Sequence, residues 1–245
     1  MSKATVLFVP GAYHRPTCFH RVSSSLTDLG YPIATVAHPS NNQSDKGLVD
    51  DIANVRTTLE HLIGVENKAV VLVLHSYGGQ AGGASMHGYG REERERSGKD
   101  GGIVAVLYIS ALALPKGSSL IGGVGGNLGP WVRKDGPLYT CTEPHQIFYN
   151  DLSLAAAQPY INQLTPICDL AFEQECPADC YSDTIPSTYL MCSDDNALPP
   201  FVQEMMAKNL GENCKVQKCD TGHSPWASQP ELVVGLVRRL AGEEK

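Results

Sequence analysis

The chain has no excess of positive charge. Its 19 Lys and Arg are outnumbered by 26 Asp and Glu, for a formal net charge of −7 over 245 residues. A nucleic-acid surface needs a basic face, so nucleic acid is excluded as a partner. No apolar stretch reaches the roughly 18 residues of a membrane span. No apolar segment and cleavage site separate Met1-Ser2-Lys3-Ala4 from the strand-like Thr5-Val6-Leu7-Phe8-Val9. A signal peptide is therefore not expected, and the cytoplasm is the expected compartment. Eight cysteines are present, but none has the spacing of a zinc site. Cys176-x-x-x-Cys180 and Cys214-x-x-x-x-Cys219 lack both the two-residue interval and a nearby His, so reduced thiols are expected. The glycines of 122–129 do not follow the dinucleotide spacing, and no strand leads into a helix there, which excludes a phosphate-binding loop. There is no internal repeat and no low-complexity tract.

What is present is an ordinary globular composition, 42% hydrophobic and 18% charged, in a chain long enough for one sizeable core. Strand and helix patterns alternate. Residues 4–9 read as a buried strand ending at Pro10-Gly11. A helix over 17–29 carries Phe19, Val22, Leu26 and Leu29, and Gly30 stops it. A short strand at 33–37 follows. A helix over 47–64 has Leu48, Ile52, Val55, Leu59, Leu62 and Ile63 at helical spacing. The apolar run Val70–Leu74 breaks at His75-Ser76-Tyr77-Gly78-Gly79 and continues as a small-residue helix over 78–88. Residues 89–102 mix both charge signs and end in glycines, and read as a solvated, mobile loop. Ile103–Ile109 is another apolar strand. Strands that are apolar throughout and alternate with helices imply a parallel sheet covered on both faces.

The rhythm stops after Leu114-Pro115. It returns with a strand at 187–192, a helix over 201–210, a weak strand at 215–219 and a closing helix over 232–240. Two blocks, 1–115 and 186–245, therefore form the expected core, and 116–185 is an inserted, helical cap or lid. The glycine-rich piece of that insertion is either a flexible loop or a lid hinge. Trp131, Tyr139, Phe148 and Tyr149 are either roof residues over an apolar pocket or ordinary cap core.

A strand that breaks into Ser76 between His75 and two glycines has the pattern of a nucleophile elbow, a strained turn that raises a serine hydroxyl above a sheet. Serine is a weak nucleophile at neutral pH. It needs a base within reach, and the base needs an orienting group. In parallel α/β sheets such groups gather at the C-terminal ends of strands. Ser76 follows one strand, Asp194 and Asp195 follow another, and His223 follows the last. That is Ser, Asp and His in chain order, the order of α/β-hydrolase triads. His223 is the only His in the last third of the chain.

The stretches Phe8-Val9-Pro10-Gly11-Ala12-Tyr13-His14, Leu74-His75-Ser76-Tyr77-Gly78-Gly79, Tyr189–Pro199 and Gly222-His223-Ser224-Pro225 resemble the small-cap branch of the α/β-hydrolases. That branch includes plant methyl esterases, hydroxynitrile lyases and their fungal relatives. The resemblance implies an α/β-hydrolase fold with Ser76 as nucleophile and His223 as general base. It selects Asp195 as the acid, with Asp194 as the alternative. It assigns the oxyanion hole to the backbone amides of Ala12 and Tyr77. His14, beside that loop, either binds a substrate oxygen or braces the loop. His75 is expected to point away from Ser76. Two departures stand out. Leu74 occupies the place of the first glycine in Gly-x-Ser-x-Gly, so room for it must be made elsewhere. Ser224 follows the catalytic His where the lyases carry Lys, which argues against lyase chemistry. The expected activity is hydrolysis of an ester, lactone or thioester of a small apolar molecule, with no metal or organic cofactor. A non-hydrolytic C–C lyase, cyclase or dehydratase on the same fold, or a ligand receptor, is the alternative.

Overall fold

The structure, a computed structural model, describes residues 3–243; Met1 and Ser2 of the N-terminal reading lie outside the described residues. The chain opens with β1 (Thr5–Val9), whose five residues are all buried. A short 3-10 turn at Pro16–Phe19 leads into α1 (His20–Asp28) and then β2 (Ile33–Thr35). Helix α2 (Leu48–Leu59) buries Leu48, Ile52, Val55 and Leu59 on one face, as its spacing predicts, and runs on into a wider π-turn over Glu60–Val65. Then come β3 (Ala69–His75), α3 (Gly78–Ser85), α4 (Arg91–Arg96) and β4 (Gly102–Ile109).

Between β4 and the next strand of this sheet the chain departs. It forms α5 (Leu120–Gly123), β5 (Val132–Asp135), β6 (Leu138–Cys141), α6 (Pro144–Phe148), α7 (Leu154–Ile161), β7 (Ile167–Cys168) and α8 (Leu170–Glu173). It returns as β8 (Ser187–Cys192), α9 (Pro200–Asn209), β9 (Lys215–Cys219), α10 (Pro225–Ser228) and α11 (Pro230–Leu240).

Six strands form one parallel sheet in the order β2-β1-β3-β4-β8-β9. The middle of the sheet is set by burial. From Val70 to His75 every residue of β3 is buried, whereas β9 at the edge exposes Lys215, Val216 and Lys218. Lysines on an edge strand discourage pairing with another chain. Helix α1 packs on α11, and α2 packs on α3. From β1 the chain moves to β2 on one side and then crosses back to β3 on the other, so the order in which the strands are laid down reverses at β1 and β3. Ligands bind at the carboxyl ends of strands at such a switch point. Among the described residues no helix is long and apolar enough to cross a membrane.

Two expectations need correcting. Residues 89–102 are not a loop throughout. Arg91–Arg96 is helical, held by the i,i+4 pairs Arg91–Glu95 and Glu92–Arg96. Arg94 turns inward and donates to the Ile63 and Asp100 carbonyls. The 116–185 excursion is not purely helical. Strands β5, β6 and β7 form a small antiparallel sheet inside it.

Candidate active site

The turn after β3 holds Ser76 at φ +53°, in the left-handed region that a non-glycine residue occupies at a cost of about 1–3 kcal/mol. Hydrogen bonds to the end of β4, to the segment after it and to α3 hold it there. The Ser76 amide donates to Ile109 O at 3.2 Å, and the Ser76 carbonyl accepts from Leu112 N at 3.0 Å and Gly79 N at 2.9 Å. The turn also needs close backbone approach. A Cβ at Gly78 would collide with the Val9 and Pro10 carbonyl oxygens, and one at Gly11 would sit 2.9 Å from the Ser76 Cβ. Leu74, the departure from the glycine pattern, is fully buried, and its side chain lies where a Cβ on Gly82 would be. The room that Leu74 needs is thus made by a glycine one helical turn beyond Gly78 in α3.

Asp195 and His223 meet at the same end of the sheet. His223 Nδ1 donates to Asp195 Oδ2 at 2.7 Å, with both side chains almost wholly shielded from solvent. The ring's side-chain contacts run through Nδ1, which leaves Nε2 as the nitrogen available to a reacting group. Asp195 is held tightly. Its Oδ1 accepts from Ala197 N at 2.7 Å and Leu198 N at 2.9 Å. Its Oδ2 also accepts from the Ser110 hydroxyl and, at 3.3 Å, from Gln203 Nε2. These donors fix the orientation of the carboxylate. Asp194, the alternative acid, is exposed, and its backbone bridges Thr221 and Asn150 instead.

The strand-end reading places Ser110 after the 103–109 strand with no carboxylate nearby, and it gives neither Ser110 nor Gln203 a role. Ser110 follows β4 at φ +40°, a second left-handed non-glycine residue at a strand end. Its signal in the sequence was its place directly after an apolar strand. Gln203 is fully buried in α9, and its amide also bonds Cys192 and Leu198. It carried no signal, because that long-range pairing is fixed only once α9 docks.

Ala12 and Tyr77 lie on facing loops, after β1 and β3. Each is next to a left-handed residue, since Tyr13 has φ +67° and Ser76 φ +53°. His14 is buried behind this loop. Its Nδ1 pairs with Ala12 O at 2.7 Å and its Nε2 with the Tyr149 hydroxyl at 2.9 Å. Burial pushes its pKa down to about 3, so it is neutral. Both ring nitrogens are engaged, and the ring lies outside the cavity wall. His75 also lies away from the cavity. Its Nε2 donates to the His223 carbonyl at 2.9 Å, and burial lowers its pKa.

Ser76, His223, Ala12 and Tyr77 all line one cavity of about 390 Å³. Its remaining wall is mainly apolar. Trp131, Phe148 and Phe172 from the excursion surround Tyr13, with ring centroids 5.9–6.5 Å from it. Leu198, Phe201 and Val202 close the other side. Among the described residues no Lys, Arg, Asp or Glu lines it. The four candidate roof aromatics divide. Trp131 and Phe148 face the cavity, whereas Tyr139 stacks on Phe172 and bonds Glu173, and Tyr149 is spent on His14.

The chain as a whole is similar to known proteins. The chain is 31% identical to the alpha/beta hydrolase nvfD of Aspergillus novofumigatus, over 99% of this chain and 98% of the relative. It is 25% identical to the probable hydrolase R7 of a Phoma species, over 99% and 100%. In three dimensions it is similar to the Arabidopsis methylesterase MES16, with a TM-score of 0.72, 18% identity and 98% and 99% of the two chains covered. It is also similar to tomato methylketone synthase I, with a TM-score of 0.76, 15% identity and both chains fully covered. At such identities the structural likeness speaks for the fold alone. The profile of the alpha/beta hydrolase family matches residues 6–236, and the chain belongs to that family.

Proposed function

We propose that the protein is a serine hydrolase that cleaves an ester, lactone or thioester of a small, uncharged, largely apolar molecule. One observation carries the reading. A strained serine at a strand-to-helix turn shares a cavity with a histidine whose far nitrogen is held by a buried carboxylate.

The proposed course follows from these groups. Ser76 Oγ attacks the acyl carbon as His223 Nε2 takes its proton. The charge that develops on the carbonyl oxygen is met by the Ala12 and Tyr77 amides; losing one such donor typically raises the barrier by about 3–4 kcal/mol. Asp195 fixes the His223 tautomer by accepting from Nδ1 and stabilises the imidazolium. His223 then returns the proton to the leaving group, and the acyl group stays on Ser76. Water, activated by the same histidine, releases the acid. The apolar wall, with no ionic side chain to pair with, supports a neutral substrate, because a buried charge without a partner is costly.

Wild-type protein and a Ser76→Ala variant, treated with a fluorophosphonate and a panel of p-nitrophenyl esters, provide the test. The expected result is one covalent adduct on the wild type, none on the variant, and ester turnover that disappears with Ser76. A wild type that neither labels nor hydrolyses any ester of the panel contradicts the reading.

A further inference from the structure

Helix α2 carries a carboxylate on its apolar face. Asp51 is wholly buried among Leu48, Ile52 and Val55, and nothing in the proposed reaction uses it. Its Oδ1 accepts from the Ser40 amide at 2.9 Å, and its Oδ2 from the Ser40 hydroxyl at 2.6 Å and the Tyr77 hydroxyl at 2.6 Å. Tyr77 stays a phenol, because burial and then the Asp51 charge raise its pKa. The same Oδ2 lies 3.7 Å from His38 Nδ1. His38 stands edge-on to the Tyr77 ring, 5.0 Å between centroids, and its Nε2 donates to Pro10 O at 2.8 Å.

We propose that Asp51 is a positioning residue for the oxyanion hole: one buried carboxylate ties down both loops whose amides form it. The Tyr77 side chain is the direct tie, and it belongs to the residue whose amide is one donor. The looser tie runs through the 38–40 segment, which Asp51 holds at Ser40 and whose His38 donates to the carbonyl of Pro10, two residues before the Ala12 donor. The inference rests on the hydrolase reading above. Its physical basis is that hydrogen-bond donors stabilise a transition state only when they are fixed before charge develops. Two loops from different strands need a common anchor to hold that geometry.

The decisive variants are Asp51→Asn, which keeps the volume but turns a donor towards the Tyr77 hydroxyl, and Tyr77→Phe, which deletes that hydroxyl and keeps the amide. Both are assayed with p-nitrophenyl butyrate, with active sites titrated by a fluorophosphonate and with trifluoroacetophenone as an inhibitor whose adduct places an oxyanion in the hole. Each variant is expected to lose roughly 10- to 100-fold in kcat with KM little changed. Trifluoroacetophenone should weaken by a similar factor, and the midpoint of the pH profile should stay in place. The double variant should be no worse than the poorer single, since both cut one link. If Asp51→Asn does not fold, Tyr77→Phe alone decides. Unchanged kcat and unchanged inhibition in Tyr77→Phe, whatever its melting temperature, overturn the proposal and leave Asp51 a packing residue. A wild type that takes up no fluorophosphonate overturns the hydrolase reading, and this inference with it.

Discussion

Two buried carboxylates flank the elbow, each beside a histidine, and under the proposed function the contrast between them separates a group arranged for proton transfer from one arranged for support. Asp195 touches His223 directly at 2.7 Å, and the other ring nitrogen is left for chemistry at the cavity. Asp51 lies 3.7 Å from His38, whose far nitrogen is already committed to the Pro10 carbonyl. Asp51 is instead saturated by two hydroxyls and an amide. The proposed function thus gives the same two residue types, both buried, different work according to where the second imidazole nitrogen points. A strongly hydrogen-bonded buried His–Asp pair is a candidate catalytic device only when one imidazole nitrogen remains uncommitted and faces a cavity.

The sharpest way to break this contrast is to neutralise each carboxylate in turn. Asp195→Asn should lower kcat by about 10⁴-fold, because the imidazole loses both its tautomer control and its counter-charge. Asp51→Asn should stay within the roughly 10- to 100-fold loss argued above for a misplaced donor. Steady-state kinetics on titrated active sites compares them. Equal losses at the two positions would erase the distinction.

A smaller effect is expected at Ser110, whose hydroxyl donates to the same Asp195 oxygen as His223. Ser110→Ala removes one bond to a charged acceptor, worth about 1.5–3 kcal/mol, while the other donors remain. A loss of roughly tenfold in kcat/KM is expected, with Asp195 still seated. An unchanged kcat/KM would show that the remaining donors suffice to hold the carboxylate.

How much of this was legible before the structure depends on which physical signal each feature carries. The sheet was legible because β1, β3, β4 and β8 are apolar along nearly their whole length and end in small or polar residues. Ser76 and His223 were legible because each follows a strand end, and the structure brings both to one cavity. The strand-end rule alone could not separate Asp194 from Asp195, since both follow β8. The separation comes from burial and from the amides of Ala197 and Leu198, visible only once the turn is folded. Asp51 did carry a signal, an acid on the apolar stripe of α2 between Leu48 and Ile52, but its partners Ser40 and Tyr77 are remote in sequence. The strands of the excursion were hidden for another reason. Segments such as Val132-Arg133-Lys134-Asp135 are short and mostly exposed, so they lack the alternation that marks a half-buried strand. Helix α4 is polar almost all round, and i,i+4 pairing rather than an apolar face identifies it.

The smallest predicted effect concerns histidines that have no carboxylate. His14 and His75 are buried as neutral rings, and the His14 pKa falls from the ordinary 6.5 to about 3. At intermediate pH the unfolded chain therefore binds protons that the native state refuses. Stability is retained above the ordinary histidine range and declines as pH falls from about 6.5 towards 3. Thermal unfolding across that window should show a steeper acid decline in the wild type than in a His14→Gln variant. Parallel curves would mean that His14 is protonated in the folded protein.

The central claim, that Ser76 is a nucleophile driven by His223, is tested most directly by intact-protein mass spectrometry after brief exposure to a fluorophosphonate. The account predicts a single adduct, mapped to Ser76, that forms far more slowly in His223→Ala and not at all in Ser76→Ala. An adduct on another residue, or equal labelling of the wild type and His223→Ala, would contradict it.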